Sequence, residues 1–199
     1  MSIFHHLFSN DKHMHTLIQQ VVKREVNTQL VTGLTGGARP AFIQALYEEM
    51  KEPIYVITSN LLQAQKLVDD MKSLIGDQNV FYYPADEFIA ANIAISSPEL
   101  RAQRIATLEK LVVKAHGVYI IPIAGMRNMM TPYEQWKSSC LSTQVGEDIS
   151  LDVWLEKLIE MGYTRNQMVT TPGEFALRGG ILDIYPPYAE SPIRLELFD

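Results

Sequence analysis

The sequence predicts an α/β fold in two parts, a parallel-sheet unit followed by a small α+β unit. Three observations carry the prediction. Compact β-branched runs at 53–58, 80–83 and 118–121 alternate with helical spacings, the pattern of a parallel sheet with helices on both faces. A glycine-rich stretch at 33–40 sits between a strand-like run and a helix-like run. After about residue 126 the pattern changes to short strands punctuated by Gly and Pro turns.

Each element has a local reason. Residues 1–28 read as a leader of helical character, with Leu17, Ile18, Val21 and Val22 at helical spacing and Lys23, Arg24 and Glu25 on the other side. Residues 29–32 read as a short strand and 41–50 as a helix. Ser59 and Asn60 can cap the next helix, whose apolar positions Leu61, Leu62, Ala64, Leu67, Val68, Met71 and Leu74 run to Gly76. The strand at 80–83 is stopped by Pro84. Pro98 opens another helix, ending near Gly117, and the strand at 118–121 is followed by Pro122. The predicted divisions are a leader at 1–28, the α/β unit at 29–125 and the α+β unit at 126–199. In the last, 126–132 reads as a linker and 140–145 as a strand. A helix is expected over 148–161, ended by Gly162, then strands at 167–170, 174–178, 181–185 and 193–198. The chain stops straight after that last strand, which suggests a piece of a longer protein.

Composition narrows the function. A chain of 199 residues that is 47% hydrophobic can bury a sizeable core. A net charge of −6 argues against a surface devoted to phosphate backbones. The single cysteine, Cys140, forms no intrachain disulfide and fits a reducing, cytoplasmic setting. The N-terminus lacks the basic start and long apolar run of a signal peptide, and no apolar run has the length of a membrane span. His5, His6, His13 and His15 read as a solvated leader rather than a metal cluster.

Gly33-Leu34-Thr35-Gly36-Gly37-Ala38-Arg39-Pro40 has the frame of a phosphate-binding loop without its chemistry. A working loop reads G-x-x-x-x-G-K-[ST] between a strand and a helix. Here Ala38 stands for the last glycine, Arg39 for the lysine and Pro40 for the hydroxyl residue. A Cβ at Ala38 hinders close approach of a phosphate. Pro40 has neither a hydroxyl for Mg²⁺ nor an N–H, though it suits a first helical turn. The residues Gly33, Thr35, Gly36, Ala38, Arg39 and Pro40 therefore mark a nucleotide-type fold that no longer binds nucleotide, with no cofactor expected. The plainer reading is a glycine-rich turn.

The second informative run is Gly173-Glu174-Phe175-Ala176-Leu177-Arg178-Gly179-Gly180-Ile181-Leu182-Asp183-Ile184-Tyr185-Pro186. Phe175, Leu177, Ile181 and Ile184 supply a core face, and the paired glycines permit a sharp bend. Arg165, Arg178 and Arg194 sit in or beside strands, and if those strands are neighbours the three can share one face. Exposed arginines suit a protein interface, because guanidinium pairs bidentately with carboxylates and stacks on rings. The alternative is three ordinary solvated arginines.

The run GEFALRGGILDIYPPYAESPIRLELFD resembles the corresponding stretch of UvrB, the nucleotide-excision-repair helicase subunit. It resembles still more the N-terminal UvrB-homology module of the bacterial transcription-repair coupling factors (Mfd). The likeness covers roughly 29–199, including the Val31–Gly36 stretch, the Thr58-Ser59-Asn60 turn and the helix and strand from Ser97 to Pro122. It implies a degenerate P-loop NTPase/helicase-like unit joined to a small domain that in UvrB docks UvrA. UvrB has an intact P-loop, which Ala38, Arg39 and Pro40 break here. UvrB also carries a long aromatic hairpin for damaged DNA, for which 84–97, with Phe88 its sole aromatic, is too short. The resemblance thus implies a non-catalytic module that recruits UvrA. The longer protein it resembles is an ATP-dependent DNA translocase that meets RNA polymerase and DNA through other parts, with its remaining domains as partners in cis and no membrane role.

Carried over position by position, the docking arginines fall at Arg165, Arg178 and Arg194, while a further family arginine falls at Ala176. Phe175 is a candidate apolar anchor on local grounds, or core if buried. The competing readings are an ATPase or helicase fragment, which Arg39-Pro40 opposes, and a direct DNA-binding module, which the net charge opposes. Asp86-Glu87 follows Pro84 and lacks a lysine-bearing loop to work with as a catalytic acid. Asp148, Asp152 and Glu156 read as a solvated helix side. Met126, Met129 and Met130 read as linker or core. Ser138, Ser139 and Cys140 have no histidine nearby in sequence to activate them.

Overall fold

The computed structural model describes residues 12–85, 98–127, 130 and 132–198. Asp86, Glu87, Phe88, His5, His6 and Met129 lie outside the described residues, and with them the candidate acidic motif and the shortened hairpin interval. The chain divides into two compact units, one of 1–95 with 107–128 and one of 96–106 with 129–199.

The first unit holds a three-stranded parallel sheet of β1 (Ile54–Thr58), β2 (Val80–Tyr82) and β3 (Val118–Pro122), in the order β1-β3-β2. The parallel α/β arrangement expected from the alternating runs is present. Helices α1 (Lys12–Val22), α2 (Ala38–Glu49) and α3 (Leu61–Ile75) belong to this unit, as does the second half of α4 (Pro98–Val112). Asn60 caps α3 as the sequence indicates, its side chain accepting from the Gln63 N–H, and Gly76 ends the helix at φ +85.

Ala64, Leu67, Val68 and Met71 recur at i, i+3, i+4 and i+7 of α3 and bury that stripe against Val80, Val118 and Ile120. The other face of the sheet carries an aromatic row. Tyr119 is fully buried between Tyr55 and Phe81, with ring centroids 5.3 and 4.7 Å away, and its hydroxyl donates to the Ala115 carbonyl. Burial pushes the Tyr119 phenol up to about 12, with the Tyr55 hydroxyl adding to the shift. Toward the β1 edge this face is only half covered, with Tyr55 and Ile57 exposed.

The second unit holds a four-stranded sheet with a helix packed on one side. Its strands are β4 (Thr164–Arg165), β5 (Glu174–Arg178), β6 (Ile181–Ile184) and β7 (Ile193–Glu196), in sequential order, with β4–β5 parallel and the rest antiparallel. Helix α6 (Leu151–Glu160) turns Leu151, Trp154, Leu155 and Leu158 onto Phe175, Leu182 and Ile184. A Schellman motif closes α6: Gly162 is at φ +85, Gly162 N donates to Ile159 O and Tyr163 N to Leu158 O. Tyr163 packs in the same core as Leu158, the apolar contact that accompanies this motif.

Three predicted strands are absent. Residues 29–32 are irregular, and Leu30 is 89% exposed. Their composition suits a strand, but no neighbour pairs with them, and a strand exists only where a ladder is supplied. Residues 140–145 and 167–170 are likewise irregular. In the first, Val145 faces solvent. In the second, the loop backbone is spent on a side chain: the Glu174 carboxylate accepts from Thr170 N, Thr171 N, Thr170 Oγ1 and Asn166 Nδ2 at 2.6–3.1 Å. The region read as a linker is followed by a short helix, α5 (Tyr133–Ser138), at whose end Ser138, Ser139 and Cys140 bond to backbone carbonyls of the same helix.

Candidate functional site

The β5–β6 hairpin builds the site. Gly179 and Gly180 make a two-residue turn, with φ +60 at Gly179 as the first position of a II′ hairpin turn requires. That turn fixes the register: Arg178 faces Ile181, Leu177 faces Leu182 and Ala176 faces Asp183. On the other side of β6, Asp183 faces Arg194 and Ile181 faces Glu196. Alternation along each strand then sorts the side chains. Phe175, Leu177, Leu182, Ile184 and Leu195 go to the α6 side, while Ala176, Arg178, Ile181, Asp183, Arg194 and Glu196 share the opposite side, where Ala176 and Asp183 are buried and Arg178, Arg194 and Glu196 exposed.

On the side away from α6, Asp183 gathers two of the predicted arginines. Arg194 donates from Nε to Oδ1 at 2.7 Å and from Nη2 to Oδ2 at 3.0 Å, and Arg178 donates from Nη2 to Oδ2 at 2.7 Å. The aspartate is 7% exposed, whereas the arginine side chains are 48% and 54% exposed. A buried carboxylate needs such partners. The hydrogen bonds from Arg194, then those from Arg178, hold its acid below the usual carboxylate range, and the Arg194 guanidinium is raised in turn. The surface is a hydrogen-bonded trio rather than a plain basic patch.

Arg165 does not join it. The strands are neighbours, as the shared-face expectation requires, but Arg165 pairs in register with Phe175. It therefore lies on the row that alternates away from Arg178 and Arg194, and it is exposed because β4 is a two-residue edge strand. Phe175 is corrected more sharply. It is fully buried under α6 and serves as core, so the candidate apolar anchor is not at the surface. The sequence reading missed Asp183. The signal was present, because the R-G-G turn sets the hairpin register and places an acid two residues past Ile181 on the arginine side.

The glycine-rich loop is an open turn into α2. Gly33 and Gly36 have φ of +83 and +54, Ala38 N donates to Thr35 O at 3.1 Å, and Ala41 N donates to Gly37 O. The Ala38 N–H, at the position of the last P-loop glycine, is thus turned back on the loop itself. Arg39 is exposed and Pro40 is buried in the first helical turn. Among the described residues no three His, Cys, Asp or Glu side chains are grouped to hold a metal, and no helix is long and apolar enough to cross a membrane.

Residues 141–199 match the family described as the UvrB interaction domain, which covers α6 and all of β4–β7. The chain is 49% identical to the transcription-repair-coupling factor of Bacillus subtilis over 171 residues, 86% of this chain and 14% of that protein. It is 40% identical to that of Staphylococcus aureus (strain USA300) over 199 residues, 100% of this chain and 17% of that protein. The chain thus spans about one-sixth of the length of the curated relatives it matches. With a UvrB interaction domain in its second unit and this likeness along its length, the chain belongs to the transcription-repair coupling factors, as an N-terminal module of that family.

Proposed function

We propose that this chain is a non-catalytic docking module that recruits the repair protein UvrA by presenting a UvrB-like face. The observation that carries the reading is the Arg178–Asp183–Arg194 trio. It stands on the side of the sheet away from α6, within the segment matched to the UvrB interaction domain, with both arginine side chains half exposed. Arginine forks held at a surface suit recognition of partner carboxylates, and such pairs set specificity and on-rate more than raw affinity. Arg165 extends the footprint at the opposite row of the sheet edge.

The first unit is read as a degenerate nucleotide-type scaffold. Ala38, Arg39 and Pro40 replace the last glycine, the lysine and the Mg²⁺-ligating hydroxyl of a working loop, and the Ala38 N–H is bonded to Thr35 O. The setting is cytoplasmic, and translocation, RNA polymerase and DNA contacts belong to other parts of the longer protein.

Binding to purified UvrA tests the reading. The wild-type chain should bind. An Arg178→Ala/Arg194→Ala chain, shown by circular dichroism to be folded, should lose binding by about a hundredfold or more, since truncating central interface arginines costs 2 kcal/mol or more each. Equal binding by the two would sink the proposal.

A further inference from the structure

We infer that Asp183 is the positioning residue of the docking face: it fixes the two arginine forks before any partner arrives and sets the charge that the partner meets. The inference rests on the docking reading above. Three observations carry it. First, the register puts Asp183 directly across from Arg194 on one side and Ala176 on the other, with Arg178 on the same face next to the turn. Ala176 is 1% exposed and has no donor to offer, so the carboxylate is left to the two arginines. An arginine at 176 would stand opposite Asp183 and compete for it.

Second, the contacts are one-sided. Arg194 spends its Nε and one Nη2 hydrogen inward, and Arg178 spends one Nη2 hydrogen inward. A guanidinium has five N–H donors in a rigid fork, so each group keeps outward donors in a fixed plane. Ordering these long side chains is a cost that a partner would otherwise meet on binding, and Asp183 meets it in the free chain. Third, Arg178 and Arg194 are balanced by Asp183 and by Glu196 on the same side, which leaves this row with no net charge. The face is therefore matched to a partner by the placement of its donors, with long-range attraction held low.

Association kinetics with immobilised UvrA distinguish positioning from mere support. Asp183→Asn frees both forks and raises the trio's charge by one. The expected result is a dissociation rate about tenfold faster, equivalent to about 1.4 kcal/mol, with an association rate equal to or above wild type because the added charge aids encounter. An unchanged dissociation rate in the folded variant would overturn the inference and leave the docking reading standing. So would a slower association rate at an unchanged dissociation rate, which marks a loss of competent protein. Failure of the wild-type chain to bind would remove the docking reading, and this inference with it. Should Asp183→Asn not fold, the Nε–H resonance of Arg194 in the wild-type chain decides. A resolved, slowly exchanging signal in the free protein supports pre-ordering, and a fast-exchanging, motionally averaged one overturns it.

Discussion

A Cβ on Gly180 would stand 2.8 Å from the backbone carbonyl oxygen of Leu197. The same two residues are joined by a hydrogen bond from Leu197 N to Gly180 O at 2.8 Å, which extends the β6–β7 ladder past the end of β7. The glycine is thus required by a close backbone approach and not by a positive φ.

Gly180→Ala should destabilise the second unit by about 1–3 kcal/mol, the range for inserting a methyl against a fixed neighbour. Gly179→Ala meets open space but must hold φ +60, at about 1 kcal/mol. Urea unfolding of the two variants should rank Gly180→Ala as the worse. Amide exchange at Leu197 should quicken in Gly180→Ala and stay near wild type in Gly179→Ala. The reverse order would mean that the turn conformation, and not the approach to Leu197, dictates the second glycine.

Phe175 separates core from contact. Its ring is fully buried with Leu158, Leu182 and Ile184, so Phe175→Ala should cost about 3–5 kcal/mol and lower the melting temperature sharply. Phe175→Leu keeps most of the volume and should cost under about 2 kcal/mol. Its affinity for UvrA should equal that of wild type, because the side chain does not reach the surface. A folded Phe175→Leu chain that had lost UvrA binding would return this residue to the interface.

Glu174 makes the chain's acid stability predictable. Hydrogen bonds from the backbone N–H groups of Thr170 and Thr171, the first the larger effect, lower its acid from 4.5 to about 2. A carboxylate with a depressed folded value contributes stability that is complete above its unfolded value and is lost as pH falls toward the folded one. The window is therefore about pH 4.5 down to about 2. In that window the melting temperature of wild type should fall more steeply than that of Glu174→Gln, the difference isolating this group from Asp183, which acts in the same direction. At pH 7 the Gln variant should be the less stable and should open the loop from Asn166 to Gly173 to proteolysis. Parallel pH profiles would show that the clasp adds nothing to folding.

The parts of this fold that were legible in the sequence are those decided locally. Asn60 and Gly76 bracket α3 because a cap and a left-handed glycine act within one turn, and the i, i+3, i+4, i+7 stripe from Ala64 to Met71 names its own buried face. The hairpin at Gly179-Gly180 belongs to the same class. What could not be read depends on neighbours distant in the chain. Residues 29–32 have strand composition, but only a paired edge would make them a strand. Residues 167–170 alternate plausibly, but Glu174 captures the backbone donors of Thr170 and Thr171 at their end. At the site, the arginines were legible as residue types, while their sorting was not. One position of register in β4 sends Arg165 to the Phe175 row, and the same alternation sends Phe175 inward.

The glycine-rich loop supports a prediction about nucleotide. At about 1 mM Mg-ATP, a site with a Kd of about 10 µM would add about 2.7 kcal/mol of stability, several degrees in melting temperature. The wild-type chain should show no such shift, because the loop lacks the lysine and the Mg²⁺-ligating hydroxyl and the Ala38 N–H is bonded to Thr35 O. Restoring the motif as Ala38→Gly, Arg39→Lys and Pro40→Thr should not recover binding either. A P-loop works when a laddered strand delivers it, and here residues 29–32 are unpaired, with Leu30 89% exposed. Thermal-shift and equilibrium-dialysis measurements on both chains check this. A shift in the restored chain alone would locate the defect in the three side chains. A shift in wild type would overturn the reading of the first unit as a scaffold without nucleotide.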